Sequence, residues 1–310
     1  MRENRFQVDI TTGRLTLPVV ILFCLIIWGT GSSSWGDLGT LGIVAFSGYL
    51  MIEMNTAFTL IRTRTTFPVC IYWYMISIFF FLHPFTWSNF VQLAFLLSVF
   101  QLFFSYECSH AQTHIFHAFL FIGLGSLLFP QLIYFSPLFA FSMITFRALS
   151  AKSFFASLLG LSTPYWFLFG YAFYFDEMHL FYAPVNEMLH FYSIDYTSLL
   201  PQEILSEIFI LFLLIISSLH YFQVAYMDKT KTRIYLSFLV FAGWWTTLFV
   251  VLQPQHLHQL LPIQCICTAF LSGHLFTLTR NRFSSYLFVV TFVIVMFLTL
   301  YHLWMQLFSL

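Results

Sequence analysis

The chain has 310 residues, of which 60% are hydrophobic, 22% are aromatic and only 8% are charged. A water-soluble domain of this length could not bury so much apolar surface, because too large a share of its chain faces solvent. The formal charge is zero, with 12 basic and 12 acidic residues, and we predict no nucleic-acid partner. Composition therefore predicts an all-α, polytopic bundle of transmembrane helices whose main partner is the lipid bilayer.

Eleven stretches are long and apolar enough to be transmembrane helices, which need about 20 mainly apolar residues. The first could also be a cleaved signal peptide, but an uncleaved anchor is the simpler interpretation because many spans follow it. Pro137 falls inside an apolar run and predicts a kink. We predict one integral membrane domain over 1–310, with spans at 15–29, 39–60, 67–83, 87–105, 114–129, 131–148, 153–175, 204–226, 234–252, 259–279 and 284–308.

The basic residues indicate how these spans are oriented. When eleven spans are threaded through the bilayer, all 12 basic residues fall on one side: Arg2, Arg5, Arg14, Arg62, Arg64, Arg147, Lys152, Lys229, Lys231, Arg233, Arg280 and Arg282. The positive-inside rule makes that side the cytoplasm. The sequence therefore predicts an N-terminus inside and, because the number of spans is odd, a C-terminus outside.

A weak internal repeat opens two of the spans. Arg14-Leu-Thr-Leu-Pro18 and Arg64-Thr-Thr-Phe-Pro68 share the pattern R-x-T-x-P, which suggests two parallel helical hairpins at 14–60 and 64–105. Parallel repeats occur in transporters. A basic residue followed by Thr and Pro is also a general way to begin a membrane helix. Both interpretations stay open.

One combination of segments resembles a known family. The segments are Glu53-Met-Asn55, Arg62-Thr-Arg64-Thr-Thr-Phe-Pro68 and Leu158-Leu-Gly160-Leu-Ser-Thr-Pro164, together with Arg147 and Lys152. They are similar to an uncharacterised family of polytopic inner-membrane proteins from Bacteroidetes. The resemblance covers roughly the first half of the chain. It implies a multi-pass protein of a bacterial inner membrane and assigns no catalytic residue.

The longest polar stretch, Asp176 to Glu203, is predicted to be an outer loop. It carries five carboxylates and two histidines and no Lys or Arg. Oxygen and imidazole groups in one patch could hold a divalent cation, but outer loops are also acid-rich simply because basic residues are disfavoured there. Its many aromatic residues predict an interfacial, amphipathic element at 176–203. The candidate outer-face residues are Asp37, Asp176, Glu177, His179, Glu187 and His190.

A second candidate set lies on the predicted cytoplasmic side. Glu107, His110, His114 and His117 are spaced by three, four and three residues, so on one helix they would share a single face. Such a stripe could relay protons or bind a metal, and it could equally be the solvated start of a helix. Glu53 is the remaining candidate, either as an ionisable group inside a span or as an interfacial partner of Arg62 or Arg64.

Three functional hypotheses follow. The first is a non-catalytic component of the envelope or of a membrane assembly, with membrane-protein partners, because the sequence contains no recognisable catalytic set. The second is a proton-coupled carrier that uses Glu53 and the stripe from His110 to His117. The third is a metal-dependent enzyme that acts on a lipid-linked sugar at the outer face. We expect no cofactor, and the sequence assigns no metal ligand.

Overall fold

The computed structural model describes residues 5–31, 35–197, 199–279 and 282–308. These residues form thirteen α-helices and no strand, and short 3₁₀ helices occur at Phe80–Leu82, Trp87–Phe90, Pro130–Phe135, Ala225–Met227 and Pro254–His256. The helices are α1 (Arg5–Thr12), α2 (Thr16–Gly31), α3 (Trp35–Phe58), α4 (Phe67–Ile78), α5 (Val91–Phe104), α6 (Ala111–Leu128), α7 (Ser136–Thr145), α8 (Ala151–Tyr174), α9 (His179–Leu189), α10 (Pro201–Val224), α11 (Thr230–Leu252), α12 (Leu257–Leu278) and α13 (Arg282–Phe308). The all-α prediction is confirmed. Arg2, Glu3 and Arg280 lie outside the described residues.

Fewer helices than predicted have the length and composition to cross a membrane. In the described part of the chain there are seven, or eight if the bent pair α1 and α2 forms one span. The predicted span 15–29 corresponds to α2 and counts only as part of that bent pair, and three further predicted spans account for the rest of the difference. The span 67–83 contains only the 12-residue α4. The span 131–148 is divided where α7 begins at Ser136, so Pro137 starts a helix instead of kinking one. The span 153–175 forms α8, whose Ser, Thr and Pro residues dilute its apolar character.

The chain forms two compact units. The first comprises Met1–Phe85, Tyr196–Leu248 and Leu260–Leu310, and the second comprises Thr86–Asp195 and Phe249–Gln259. The predicted hairpin 14–60 lies within the first unit. The predicted hairpin 64–105 is divided between the two units, and the duplication itself stays a prediction.

In the first unit, α4 is the central short helix and packs against α1, α2, α3 and α13. The chain reaches α2 through a bend of 79° after α1. Gly13 lies at this bend, where a Cβ atom would come within 2.1 Å of the Asp9 carbonyl oxygen. Only glycine fits there, so Gly13 permits the sharp bend between α1 and α2.

In the second unit, α6 packs between α5 and α8. Small residues permit this contact: a Cβ atom on Gly160 would lie 2.4 Å from the Phe116 carbonyl oxygen, and one on Gly123 would lie 2.8 Å from the Leu161 carbonyl oxygen. The backbones of α6 and α8 therefore approach each other closely, as small residues in apolar helices allow.

Candidate functional site

The predicted stripe of Glu107, His110, His114 and His117 is not continuous in the structure. Helix α6 begins only at Ala111, and Glu107 has a left-handed backbone with φ of 49°. Glu107 and His110 therefore do not share the helical face that carries the two later histidines. His114 Nδ1 lies 3.0 Å from Gln101 Oε1, and its ring stacks on that of Phe104.

Glu107 instead joins two helix ends within the second unit. Its Oε1 accepts a hydrogen bond of 2.9 Å from Arg147, and its backbone N–H donates to the Phe146 carbonyl. Arg147 follows α7 in a left-handed conformation with φ of 54°. The N–H groups of Arg147 and Ala148 donate to the carbonyls of Ile144 and Met143, which is the Schellman arrangement at a helix C-terminus. The ion pair of Glu107 and Arg147 therefore joins the segment after α5 to the end of α7.

The candidate outer-face residues are divided between the two units. Asp37 lies in the first unit, in the first turn of α3, and is 5% exposed. Nearby His83 stacks on Trp28 and has its pKa lowered to about 4 by burial, an effect that the charge of Asp37 opposes. The second unit contains the remaining five: Asp176, Glu177, His179, Glu187 and His190.

Asp176 ends helix α8. It has a φ of 58°, and its N–H donates to the Phe173 carbonyl while that of Glu177 donates to the Ala172 carbonyl. These two bonds form a Schellman motif with Asp176 at the left-handed position, where Gly is usual and Asn occasional. The side chain of Asp176 is exposed. Asp176 therefore serves to terminate helix α8.

Glu187, in the last turn of α9, and His190, which follows that helix, precede an extended segment that two glutamines hold. Tyr192 donates its hydroxyl to Glu187 Oε1 at 3.0 Å, and this hydrogen bond raises the pKa of Tyr192. Gln253 makes two backbone contacts with Tyr192, donating to its carbonyl at 2.9 Å and accepting from its N–H at 3.1 Å. Gln255 donates to the Ser193 carbonyl. Sequence reasoning missed both glutamines because nothing local to them indicates a partner some 60 positions earlier.

No predicted cluster assembles a metal site within the described residues, where no group of three or more His, Cys, Asp and Glu side chains has a suitable arrangement. Glu53 lies on an exposed position of α3. It forms no ion pair with Arg62 or Arg64. Arg62 contacts Asp228 instead. The neighbouring Asn55 holds the connection between α3 and α4, by bonds to the Thr65 carbonyl and the Ile61 N–H, both 3.1 Å.

The structure places a large pocket in the first unit, hereafter the basic pocket. Its volume is about 780 Å³, within the range of roughly 300–1,000 Å³ that is typical of small-molecule sites. The bend between α1 and α2 and the connection from α3 to α4 form its walls. It is lined by Thr11, Thr12, Gly13, Arg14, Thr16, Leu17, Ile52, Asn55, Thr56, Thr59, Ile61, Arg62, Thr63, Arg64, Thr65, Thr66 and Phe67.

The charge of the basic pocket is one-sided. Three of its lining residues are arginines, Arg14, Arg62 and Arg64, and none of the described lining residues is acidic. Only Arg62 pairs with a carboxylate in the described part of the chain: its Nε lies 3.0 Å from Asp228 Oδ1. Asp228 is fully buried, and its other oxygen lies 2.9 Å from His274 Nε2. Arg14 and Arg64 are exposed to solvent in the pocket.

The two copies of the R-x-T-x-P pattern meet at the basic pocket. Arg14 and Thr16 come from the first copy, and Arg64 and Thr66 come from the second. Helix α2 begins at Thr16 and α4 begins at Phe67, so two helix N-termini border the pocket. A helix N-terminus carries a partial positive charge of about half a unit, which adds to the charge of the arginines.

Hydrogen bonds show which hydroxyls are available to a ligand. The hydroxyls of four lining threonines donate to backbone carbonyls of their own helix or, for Thr16, of the preceding helix α1: Thr11, Thr12, Thr16 and Thr56. Thr65 donates to the Thr11 carbonyl, which ties the start of α4 to the bend after α1. Thr63 Oγ1, by contrast, is buried and has no hydrogen-bond partner. Its hydroxyl is free to donate to a ligand.

Sequence reasoning identified the repeat and its basic residues but not their convergence. Asp228 and His274 were missed as a pair because 46 residues separate them. Comparisons with known protein families, with curated proteins and with solved structures found no match. The geometry of the basic pocket is therefore the main guide to function.

Proposed function

We propose that the chain is a multi-pass protein of a bacterial inner membrane that binds a phosphate-bearing anion in the basic pocket, on the cytoplasmic side, without transforming it chemically. The observation that carries this proposal is a pocket of about 780 Å³ lined by three arginines and by no described carboxylate. The cytoplasmic placement follows from the positive-inside rule. The eleven-span topology and the external C-terminus stay predictions.

Electrostatics favours an anion here. Guanidinium groups that line one pocket repel one another, and salt screens such repulsion strongly only beyond a Debye length of about 8 Å at physiological ionic strength. A bound anion offsets that repulsion. Arg14 and Arg64 gain the most because neither forms an ion pair with a described carboxylate.

Phosphate is the anion that fits these donors best. The planar guanidinium group binds phosphate through two parallel hydrogen bonds, which are stronger than bonds between neutral groups. The N-termini of α2 and α4 border the same space, and helix N-termini favour phosphate through their dipoles. Thr63 Oγ1 supplies a further unused donor.

Binding without catalysis agrees with the hypothesis of an envelope or assembly component. None of the described lining residues is a histidine, cysteine, aspartate or glutamate, so the lining offers no ordinary general base or thiol nucleophile. No contact described above favours the carrier or the enzyme hypothesis, and both stay predictions. Partner proteins also stay a prediction.

The test uses inorganic pyrophosphate as a soluble probe. We expect it to raise the unfolding temperature of the detergent-purified protein at low salt and to lose this effect at high salt. Arg14→Gln and Arg64→Gln should each weaken binding by roughly tenfold or more, since a charge-assisted hydrogen bond contributes about 1.5–3 kcal/mol.

Arg233→Gln is the matched control. Arg233 is exposed and belongs to the same unit, but it does not line the pocket. Its replacement should leave pyrophosphate binding unchanged. Equal losses in all three variants would indicate a diffuse surface effect, and no stabilisation of the unaltered protein would refute the proposal.

A further inference from the structure

An apolar cavity adjoins the basic pocket. Its volume is about 160 Å³, and Thr16 and Phe67 line both cavities. The hydroxyl of Thr16 is bonded to the Ile10 carbonyl at 2.7 Å. Beyond these shared residues, the walls come from apolar side chains of several helices, including Val20, Ile71, Met75, Leu213, Phe288 and Phe292. Hereafter this cavity is the apolar groove.

The groove contains one polar group that has no partner. Thr291 is 8% exposed, and its Oγ1 is buried without a hydrogen bond. The hydroxyl of Ser272, which also lines the groove, donates to the Thr268 carbonyl at 2.6 Å. Thr299, two turns further along α13, donates to the Val295 carbonyl in the same way. An unmade hydrogen bond in an apolar site is unfavourable, so the bare Thr291 hydroxyl points to a ligand acceptor.

The position of Thr291 sets where that acceptor would lie. The ring of Phe288 contacts that of Phe67, at 6.1 Å between centroids, and Phe67 borders the basic pocket. Thr291 lies three residues beyond Phe288, which is about 4.5 Å along the helix axis. Thr291 therefore lies on the apolar side of Phe67, a residue that the groove and the basic pocket share.

We propose that the ligand of the basic pocket is an anionic acylglycerol phosphate lipid. Its phosphate lies among Arg14, Arg62 and Arg64, an ester carbonyl accepts a hydrogen bond from Thr291, and an acyl chain lies along the apolar groove. This inference rests on the proposed function, because it names the substrate class of the same pocket. Charge complementarity selects the phosphate end, and the unused hydroxyl selects an ester oxygen over a plain hydrocarbon chain.

The experiment compares four probes on the full chain in detergent: diacyl phosphatidic acid, its diether analogue, diacylglycerol and glycerol 3-phosphate. Lipid retention is measured by titration in native mass spectrometry. We expect phosphatidic acid to bind most tightly. The diether analogue lacks the carbonyl and should bind about fivefold more weakly, as expected for one hydrogen bond of roughly 1 kcal/mol. Diacylglycerol, without phosphate, should be retained only as bulk lipid.

Thr291→Val tests the ester contact. It removes a hydroxyl that makes no bond in the protein, so the ligand-free protein should keep its stability, while affinity for phosphatidic acid falls about fivefold and affinity for the diether is unchanged. Thr299→Val is the matched control on the same helix. It breaks a contact of 2.8 Å with the Tyr74 hydroxyl and should lower stability without changing the preference for the ester lipid.

The outcomes separate the two proposals. If glycerol 3-phosphate and pyrophosphate bind as tightly as phosphatidic acid, the pocket takes a soluble phosphate and the lipid inference is wrong. If the lipids bind equally with and without phosphate, the groove holds bulk lipid only and the inference is also wrong. If no phosphate compound binds, the proposed function fails with it. If Thr291→Val binds the ester and diether lipids equally, and as tightly as the unaltered protein binds the ester lipid, Thr291 does not donate a hydrogen bond to the ester.

Discussion

Arg62 and Asp228 form an ion pair in which the carboxylate is fully buried and the arginine side chain is 45% exposed. Arg62 thus contacts a buried carboxylate through its Nε atom and also lines the basic pocket. It also donates to the Met227 carbonyl at 3.3 Å. Arg62 is therefore the arginine whose position the fold fixes, whereas Arg14 and Arg64 are exposed and form no ion pair with a described carboxylate.

We predict that Arg62→Gln lowers the free energy of unfolding by about 1–2 kcal/mol, because a buried carboxylate loses its cation. Partial exposure of Arg62 to water reduces the effect below that of a fully buried pair. The measurement is chemical denaturation in detergent. Arg64→Gln is the control, since Arg64 has no carboxylate partner, and it should change stability by no more than about 0.5 kcal/mol. Equal effects would mean that the Asp228 contact is energetically unimportant.

Thr59 carries backbone strain at the wall of the basic pocket. It follows α3 with φ of 49°, a left-handed conformation that is unfavourable for a β-branched residue. Thr59→Gly should therefore raise the free energy of unfolding by about 0.5–1 kcal/mol, after allowance for the greater freedom of glycine in the unfolded chain. The measurement is the midpoint of denaturant unfolding.

The control for Thr59 is Thr56→Gly, one turn earlier inside α3. There the backbone is helical, so glycine should cost about 0.5 kcal/mol or more. It also removes the hydrogen bond of 2.9 Å from Thr56 to the Ile52 carbonyl. Opposite signs for the two substitutions are expected, and destabilisation by both would show that Thr59 is not strained.

His83 gives the first unit a pH dependence. Its pKa falls from 6.5 to about 4 because burial disfavours the charged ring. A lowered pKa in the folded state means that His83 contributes full stability above about pH 6.5 and loses that contribution as the pH falls toward 4. We expect the unfolding temperature to decline over that window.

His83→Gln isolates this contribution. A glutamine can still donate to the Ser77 carbonyl, which His83 Nε2 contacts at 3.0 Å, but it does not titrate. The variant should lose the stacking of His83 on Trp28, whose ring centroids are 3.7 Å apart, and so be less stable at neutral pH. Its decline between pH 6.5 and 4 should be shallower, and an unchanged slope would assign the acid sensitivity to other groups.

Local patterns in the sequence predicted local structure well. Apolar runs predicted the helices, because the composition of each run is a property of that run alone. The spans 67–83 and 131–148 failed as single helices, because hydropathy does not register where a backbone ends one helix and starts another, as at Pro137. The segment 176–203, predicted to be an outer loop, contains helix α9, but Asp176 within it terminates α8 instead of joining a cluster.

The candidate site shows the same division between local and distant information. The R-x-T-x-P repeat was visible, but its two copies are 50 positions apart, and only the fold brings Arg14 and Arg64 to one pocket. The stripe at Glu107 failed because spacing implies a shared face only if a helix is continuous, and α6 begins at Ala111. Thr291 carries no sequence signal at all, since an unpaired hydroxyl is visible only in three dimensions.

The contact between α6 and α8 gives the last prediction. A Cβ atom at Gly160 would lie 2.4 Å from the Phe116 carbonyl oxygen, and backbone atoms cannot move aside as a flexible side chain can. Gly160→Ala should therefore cost about 1–3 kcal/mol of stability, as overpacking does. Gly170→Ala is the control on the same helix, because nothing lies within 4 Å of its added Cβ. It should be neutral or stabilising by up to about 1 kcal/mol, since alanine favours helix over glycine. Equal unfolding temperatures for the two variants would show that α6 and α8 can separate without cost.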